Sequence, residues 1–330
     1  MYEQVIYFGA PGTGKSFEVK ERVKHVSDSK LFRVTIHPEY AYSDFVGQVL
    51  PGMVSGSPGF YFQPGPFTEA LKEAYDDLSE EVYLILEELS RGNVAGIFGD
   101  VFQLLDRDVH FESIYPVRNK YIANEIPSLV DDQIKLPSNF NILCTVNTND
   151  QNVFPMDTAF KRRFEWKYVP TTPVIDVKSG IVDSKLNNAM MTVAIDGDRS
   201  HDIHTNWQSF YCALNDFITN KEKGLGKRED KQVGQFFIEF TDDVIYDSHS
   251  TDPTKASAAK NKIDNIIRNK LLHYLWQDVQ GSGSFRETSS VFDSAIMSYG
   301  DLYKKYGEEK TFSDTFINEF LIPNASKYPY

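Results

Sequence analysis

Eight residues into the chain begins Gly9-Ala10-Pro11-Gly12-Thr13-Gly14-Lys15-Ser16. The spacing is that of a phosphate-binding loop, G-x-x-x-x-G-K-S/T. Its flanks agree with it. Val5-Ile6-Tyr7-Phe8 is a short apolar, β-prone run, and Phe17 to Val23 has helical spacing. Glycines let backbone N–H groups wrap around phosphate oxygens, and the helix that follows adds its N-terminal partial charge at the same point. Lys15 is expected to reach the β- and γ-phosphates. The Ser16 hydroxyl is expected to hold Mg²⁺. The competing reading, a glycine turn that happens to carry Lys-Ser, lacks a reason for the strand before and the helix after.

Downstream, runs that read as strands and helices alternate. Leu31 to Ile36, Val82 to Leu86, Asn141 to Val146 and Glu165 to Val169 read as strands. Phe67 to Ser79, Val94 to Leu105 and Asp157 to Arg163 have helical spacing, and His37 to about Pro66 reads as a loop rich in Tyr, Pro and Gly. Continuous apolar runs such as Val82-Tyr83-Leu84-Ile85-Leu86 are the mark of strands buried on both faces of a parallel sheet. The pattern implies an α/β fold with a helix-flanked parallel sheet over residues 1–170. Residues 171–330 form a smaller, mainly helical lid with a small β-containing insert at its start. Helices are expected over Trp207 to Thr219, Ile263 to Val279, Phe292 to Tyr306 and Phe312 to Leu321, with Gly281 to Ser284 as a flexible link.

Three stretches accompany the loop. Leu84-Ile85-Leu86-Glu87-Glu88 is a buried strand ending in two carboxylates. The first acid suits Mg²⁺ held through water, and the second suits orienting and deprotonating an attacking water. Glu87 stands where many such enzymes have Asp, so the choice of base between the two acids stays open. Asn147, in Val146-Asn147-Thr148-Asn149-Asp150, falls at the carboxyl end of the next strand, where ligands of parallel sheets bind. Its amide could hold the attacking water; an Asn/Asp turn capping the next helix is the competing reading. Lys161-Arg162-Arg163-Phe164 either complements a helix dipole or supplies an arginine finger, in trans, to a neighbouring subunit.

The net charge of −13 argues against a duplex-binding surface spread over the chain. Cys144 and Cys212 make no disulfide framework, and the seven histidines show no zinc spacing. His37 reads as loop packing. No apolar run approaches a membrane span and no signal segment opens the chain, so it reads as cytoplasmic. The 14% aromatic share points to well-packed cores or sticky subunit surfaces. Trp207, Phe210, Tyr211, Leu214 and Phe217 recur at helical spacing and read as core.

Together these residues resemble the AAA+ module of the McrB type, the NTPase motor of modification-dependent restriction systems. Arg33 to Gly47 resembles the family's stretch after its second strand. Glu87-Glu88-Leu89-Ser90-Arg91-Gly92-Asn93 resembles its acidic helix opening, with Glu87 and Ser90 departing from it. Asn147 to Asp150 resembles its Asn-x-x-Asp signature, and Asp157 to Phe164 the segment with trans-acting arginines. Lys231 to Phe237 resembles a lid stretch where a helix begins near the nucleotide, with Arg228 and Lys231 as sensor candidates.

The resemblance implies an AAA+ P-loop core with a helical lid and a hexameric ring that hydrolyses GTP or ATP with Mg²⁺ between subunits. It implies a McrC-like nuclease subunit as partner, in restriction and antiviral defence. Gly9, Ala10, Pro11, Gly12, Thr13, Gly14, Lys15, Ser16 and Asp150 would bind nucleotide. Ser16 and Glu87 would hold the metal. Glu88, Asn147 and Arg162 or Arg163 would be catalytic. The chain starts at the first strand, which places DNA recognition on a partner or another domain. Two alternatives stand beside this reading: a MoxR- or dynein-like remodelling ATPase, and a nucleotide-gated scaffold with little turnover.

Overall fold

The computed structural model describes residues 2–329 other than 55, 130, 148–153, 177 and 281–288. The chain divides into two compact units, residues 1–8 with 15–169, and residues 9–14 with 170–330.

The first unit is built on five strands: β1 (Gln4–Gly9), β2 (Leu31–Thr35), β3 (Val82–Glu87), β4 (Phe140–Asn147) and β5 (Glu165–Tyr168). Their order across the sheet is β2-β3-β4-β1-β5. The β1–β5, β2–β3 and β3–β4 pairs run parallel. Alternate side chains leave opposite faces of a strand, and here each face has its own core. Ile6, Leu84, Leu86, Ile142 and Cys144 share one cluster with Phe67, Leu71, Ile97 and Phe98 from helices α2 (Pro66–Asp76) and α3 (Val94–Phe98). Val5, Tyr7, Tyr83, Ile85 and Leu143 share the other with Val19 and Val23 of helix α1 (Lys15–Val23). Every residue of β3 is buried, which is why its sequence is apolar without alternation. Burying each of these large aliphatic side chains stabilises the unit by about 1.5–3 kcal/mol.

Between Ile36 and Pro66 the loop expectation fails. The segment holds a short helix, Tyr42–Phe45, and an antiparallel ribbon of Gly47–Val54 against Ser57–Pro64 with eight paired positions. Pro51, Gly52, Pro58 and Gly59 gave the ribbon the look of a loop, but in a two-stranded ribbon every residue lies on an edge, where Pro and Gly are tolerated.

In the second unit, Met190–Val193 and Ile203–Asn206 pair antiparallel. Asn206 then caps the helix Trp207–Thr219 by accepting from the Ser209 N–H. That helix supplies the centre of the core: Trp207, Phe210, Tyr211, Leu214 and Phe217 are all buried. Two helix expectations shift. The expected 263–279 helix begins ten residues earlier, at Pro253, because Asp252 and Pro253 form a regular start with the Asp252 side chain accepting from the Thr254 N–H, and after Asn269 helical structure continues in Leu271–Tyr274 and Leu275–Gln280. Of the expected 292–306 helix only Tyr299–Lys305 is helical, and Phe292 instead bridges Phe312. The Gly281 to Ser284 link lies outside the described residues. Among the described residues no helix is long and apolar enough to cross a membrane.

Candidate active site

The phosphate-loop residues Gly9–Gly14 group with the second unit, and Lys15 and Ser16 open α1 of the first. Gly12 and Gly14 have φ of +75° and +93°, the region that L side chains avoid. Gly12 has a second reason to lack a side chain, since a Cβ there would stand 2.2 Å from the Phe237 nitrogen. The Gly234 N–H donates to the Pro11 carbonyl at 2.9 Å and the Phe236 N–H to the Gly12 carbonyl at 2.8 Å. Across a trans peptide the N–H points away from the carbonyl. Holding those two carbonyls therefore turns the Gly12 and Thr13 N–H groups to the opposite side.

Lys231 to Phe237 opens no helix, contrary to the lid resemblance. Its first residue ends a short 3₁₀ turn, Glu229–Lys231, and the next helix is Asp242–Ser248. The donors to the loop are N–H groups that no helix consumes. Of the sensor candidates, Arg228 caps the start of that turn and Lys231 is its last residue.

Ser16 and Glu87 meet on the α1 side of the sheet. Ser16 Oγ donates to Glu87 Oε2 at 3.0 Å. Thr145 Oγ1, from β4, donates to the same oxygen, and Arg33 Nη1, from β2, donates to Oε1. Thr145 Oγ1 also accepts from the Glu88 N–H at 3.1 Å. Neither Thr145 nor Arg33 stood out in the sequence as a site residue. The signal available was position: Arg33 is a cation in an otherwise mostly apolar strand beside β3.

At Glu88 the chain turns out of the sheet with φ 56° and ψ 39°, a left-handed conformation uncommon for a residue with a Cβ. The turn separates the two acids. Glu87 stays against the sheet, with its side chain 12% exposed, while Glu88 is 30% exposed and faces β4. There Asn147 Nδ2 donates to both Glu88 carboxylate oxygens, at 2.8 and 2.9 Å, and Arg91 Nε lies 3.2 Å from Oε2. Asn147 thus contacts an acid, rather than serving only as a turn residue. Asp150 lies outside the described residues.

The two arginines differ sharply. Arg163 is 10% exposed and bonded to Asp106 and to the Ala159 carbonyl, with its guanidinium carbon 4.2 Å from the centre of the Phe102 ring. Arg162 is 67% exposed, with only a loose 3.8 Å approach to Asp106. Just before them Asp157 caps the helix Thr158–Lys161 through the Phe160 N–H.

The donor set around Ser16 is a hydroxyl and a carboxylate, both hard oxygens. That suits Mg²⁺, which keeps several waters, better than a closed protein cage. Among the described residues no cluster of three or more His, Cys, Asp or Glu could hold a metal alone.

Comparison with known proteins points to the same class of fold. The family model described as AAA domain (dynein-related subfamily) matches residues 4–164. The type II restriction enzyme BsuMI component YdiS of Bacillus subtilis is 32% identical over 340 aligned residues, covering 93% of this chain and 87% of that one. The type IV methyl-directed restriction enzyme EcoKMcrB subunit of Escherichia coli is 26% identical, covering 57% of this chain and 38% of that one. Fold, loop and paired acids define a P-loop nucleoside triphosphatase of the AAA class. Within that class the chain belongs to the McrB-type AAA+ NTPases.

Proposed function

We propose that the chain hydrolyses GTP or ATP at the interfaces of a hexameric ring and acts as the motor for a McrC-like endonuclease in restriction and antiviral defence. DNA would be contacted through the partner or another domain. The loop amides and Lys15 bind the phosphates. Ser16 and Glu87 hold Mg²⁺, which when bound offsets negative charge on the phosphate oxygens. Glu88 takes the proton of the attacking water, and Asn147 fixes the direction in which that carboxylate points. Arg162 reaches the γ-phosphate bound by the adjoining subunit.

The observation that carries the reading is the Asn147–Glu88 contact, formed beside a Glu87 that is itself tied to Ser16. It gives one acid a hydroxyl partner suited to a metal and leaves the other turned outward for a proton. The test is a turnover assay with ATP and with GTP, run alongside nucleotide binding and mass measurement, for wild type and Glu88→Gln. Tight binding with turnover lowered about 100-fold or more is expected for a lost general base. Wild-type turnover by Glu88→Gln would end the assignment.

A further inference from the structure

Glu87 has one more methylene than the aspartate common at this position, and three separate donors hold it. Oε2 accepts from Ser16 and Thr145, and Oε1 accepts from Arg33. Strand register explains why Arg33 reaches it. Arg33 pairs with Ile85 and Thr35 with Glu87, so these side chains leave the same face of the sheet. That is the face α1 covers, since Ile85 packs with Val19 and Val23. Arg33 has only to cross one step along the strand.

We propose that Arg33 is a positioning residue: it fixes the rotamer in which Glu87 presents its carboxylate beside Ser16, and so lets a glutamate serve where aspartate is usual. A shorter acid would draw the carboxylate back by about one C–C bond, ~1.5 Å. That takes it beyond hydrogen-bond reach of at least one of the three donors. Without Arg33 the carboxylate keeps only the Ser16 and Thr145 bonds, both on Oε2, and can swing about that oxygen. The guanidinium also places positive charge near a divalent cation, which by itself opposes metal binding. The two effects have opposite signs, so experiment separates them.

The inference rests on the reading of Glu87 as the metal-side acid. Its test compares wild type, Arg33→Ala, Arg33→Lys, Glu87→Gln and the Arg33→Ala/Glu87→Gln double variant. Binding of a fluorescent nucleoside triphosphate is measured without Mg²⁺ and as Mg²⁺ is titrated. Thermal unfolding of the nucleotide-free protein checks folding. Arg33→Ala is expected to raise the Mg²⁺ concentration for half-maximal effect about 3- to 10-fold, the scale of one half-exposed charge-assisted hydrogen bond. Mg²⁺-free affinity should not move, Arg33→Lys should recover part of the loss, and once Glu87 is Gln, Arg33→Ala should no longer raise the Mg²⁺ requirement. An unchanged or lowered Mg²⁺ requirement in Arg33→Ala, or additive effects in the double variant, overturns the positioning role while Glu87→Gln still shows its own defect. If Glu87→Gln has no Mg²⁺ defect, the metal-side reading falls and the Arg33 role with it. Should Arg33→Ala fail to fold, Arg33→Gln carries the same comparison.

Discussion

The Asn147 amide donates to both oxygens of the Glu88 carboxylate, at 2.8 and 2.9 Å. Asn147 ends β4 and Glu88 follows β3, so the contact spans two strand ends and freezes the acid's direction. It predicts unequal effects at the two positions. Asn147→Ala leaves Glu88 chemically intact but unaimed, so turnover should fall about 10- to 100-fold. Asn147→Asp sets two carboxylates face to face, which destabilises the ionised pair. Its turnover should fall further. Steady-state rates check this, and equal rates for Asn147→Ala and wild type would dismiss the aiming role.

Arg162 and Arg163 should separate cleanly. Arg163→Ala strips Asp106 of its close partner and empties the space over Phe102. A loss of about 1–3 kcal/mol in folding stability is expected, read by denaturant unfolding. Arg162→Ala should change stability by no more than about 0.5 kcal/mol, because its ion pair is loose and exposed. It should nevertheless lower turnover at least about 10-fold in assembled protein. Mixing Arg162→Ala with Lys15→Ala tests the trans arrangement. Interfaces joining an intact loop to an intact arginine regain activity, and no gain at any mixing ratio counts against it.

Gly12 and Gly234 approach each other too closely to admit a methyl group. A Cβ on Gly12 meets Phe237 and one on Gly234 would lie 2.3 Å from the Gly12 carbonyl oxygen. Gly12→Ala also carries the left-handed cost of a side chain at φ +75°. Each alanine variant should lose about 2 kcal/mol or more and bind nucleotide weakly. Differential scanning calorimetry and nucleotide titration together decide. A stable Gly12→Ala that binds normally would show that the loop has another accessible path.

Asp264, on Pro253–Asn269, is held above the usual carboxylate range by burial, with Lys260 pulling the other way. The unfolded chain therefore ionises first as pH rises. Stability from this group is full below the ordinary value of 3.8 and declines as pH rises through the higher folded value. Asp264→Asn has no such decline. The stability of Asp264→Asn relative to wild type should therefore improve as pH climbs from 3.8 to the higher folded value and level off above it. Thermal unfolding at several pH values measures it, and a constant or falling difference contradicts the sign.

The loop, the sheet strands and the Trp207–Thr219 helix were legible because each is written in local chemistry: glycines at fixed spacing, apolar runs, a helical repeat. The Gly47–Pro64 ribbon was not. Its pairing is set by register between two segments whose Pro and Gly read locally as breaks. Glu87, Glu88 and Asn147 could be picked out as strand-end residues, yet their separate environments could not. Those depend on the turn at Glu88 and on Thr145 and Arg33 from neighbouring strands, which no spacing along the chain encodes. The difference between Arg162 and Arg163 was hidden for a similar reason: adjacent cations look alike until one finds Asp106 and Phe102.

Glu88 occupies a backbone conformation that glycine would adopt at no steric cost, whereas a residue with a Cβ is penalised by about 1–2 kcal/mol. Selection for heat resistance at this position should drift toward Gly or Asn. Selection for turnover should return it to Glu. Position 88 is thus a place where durability and catalysis compete for the same residue, and laboratory evolution under each pressure would pull the same chain in opposite directions.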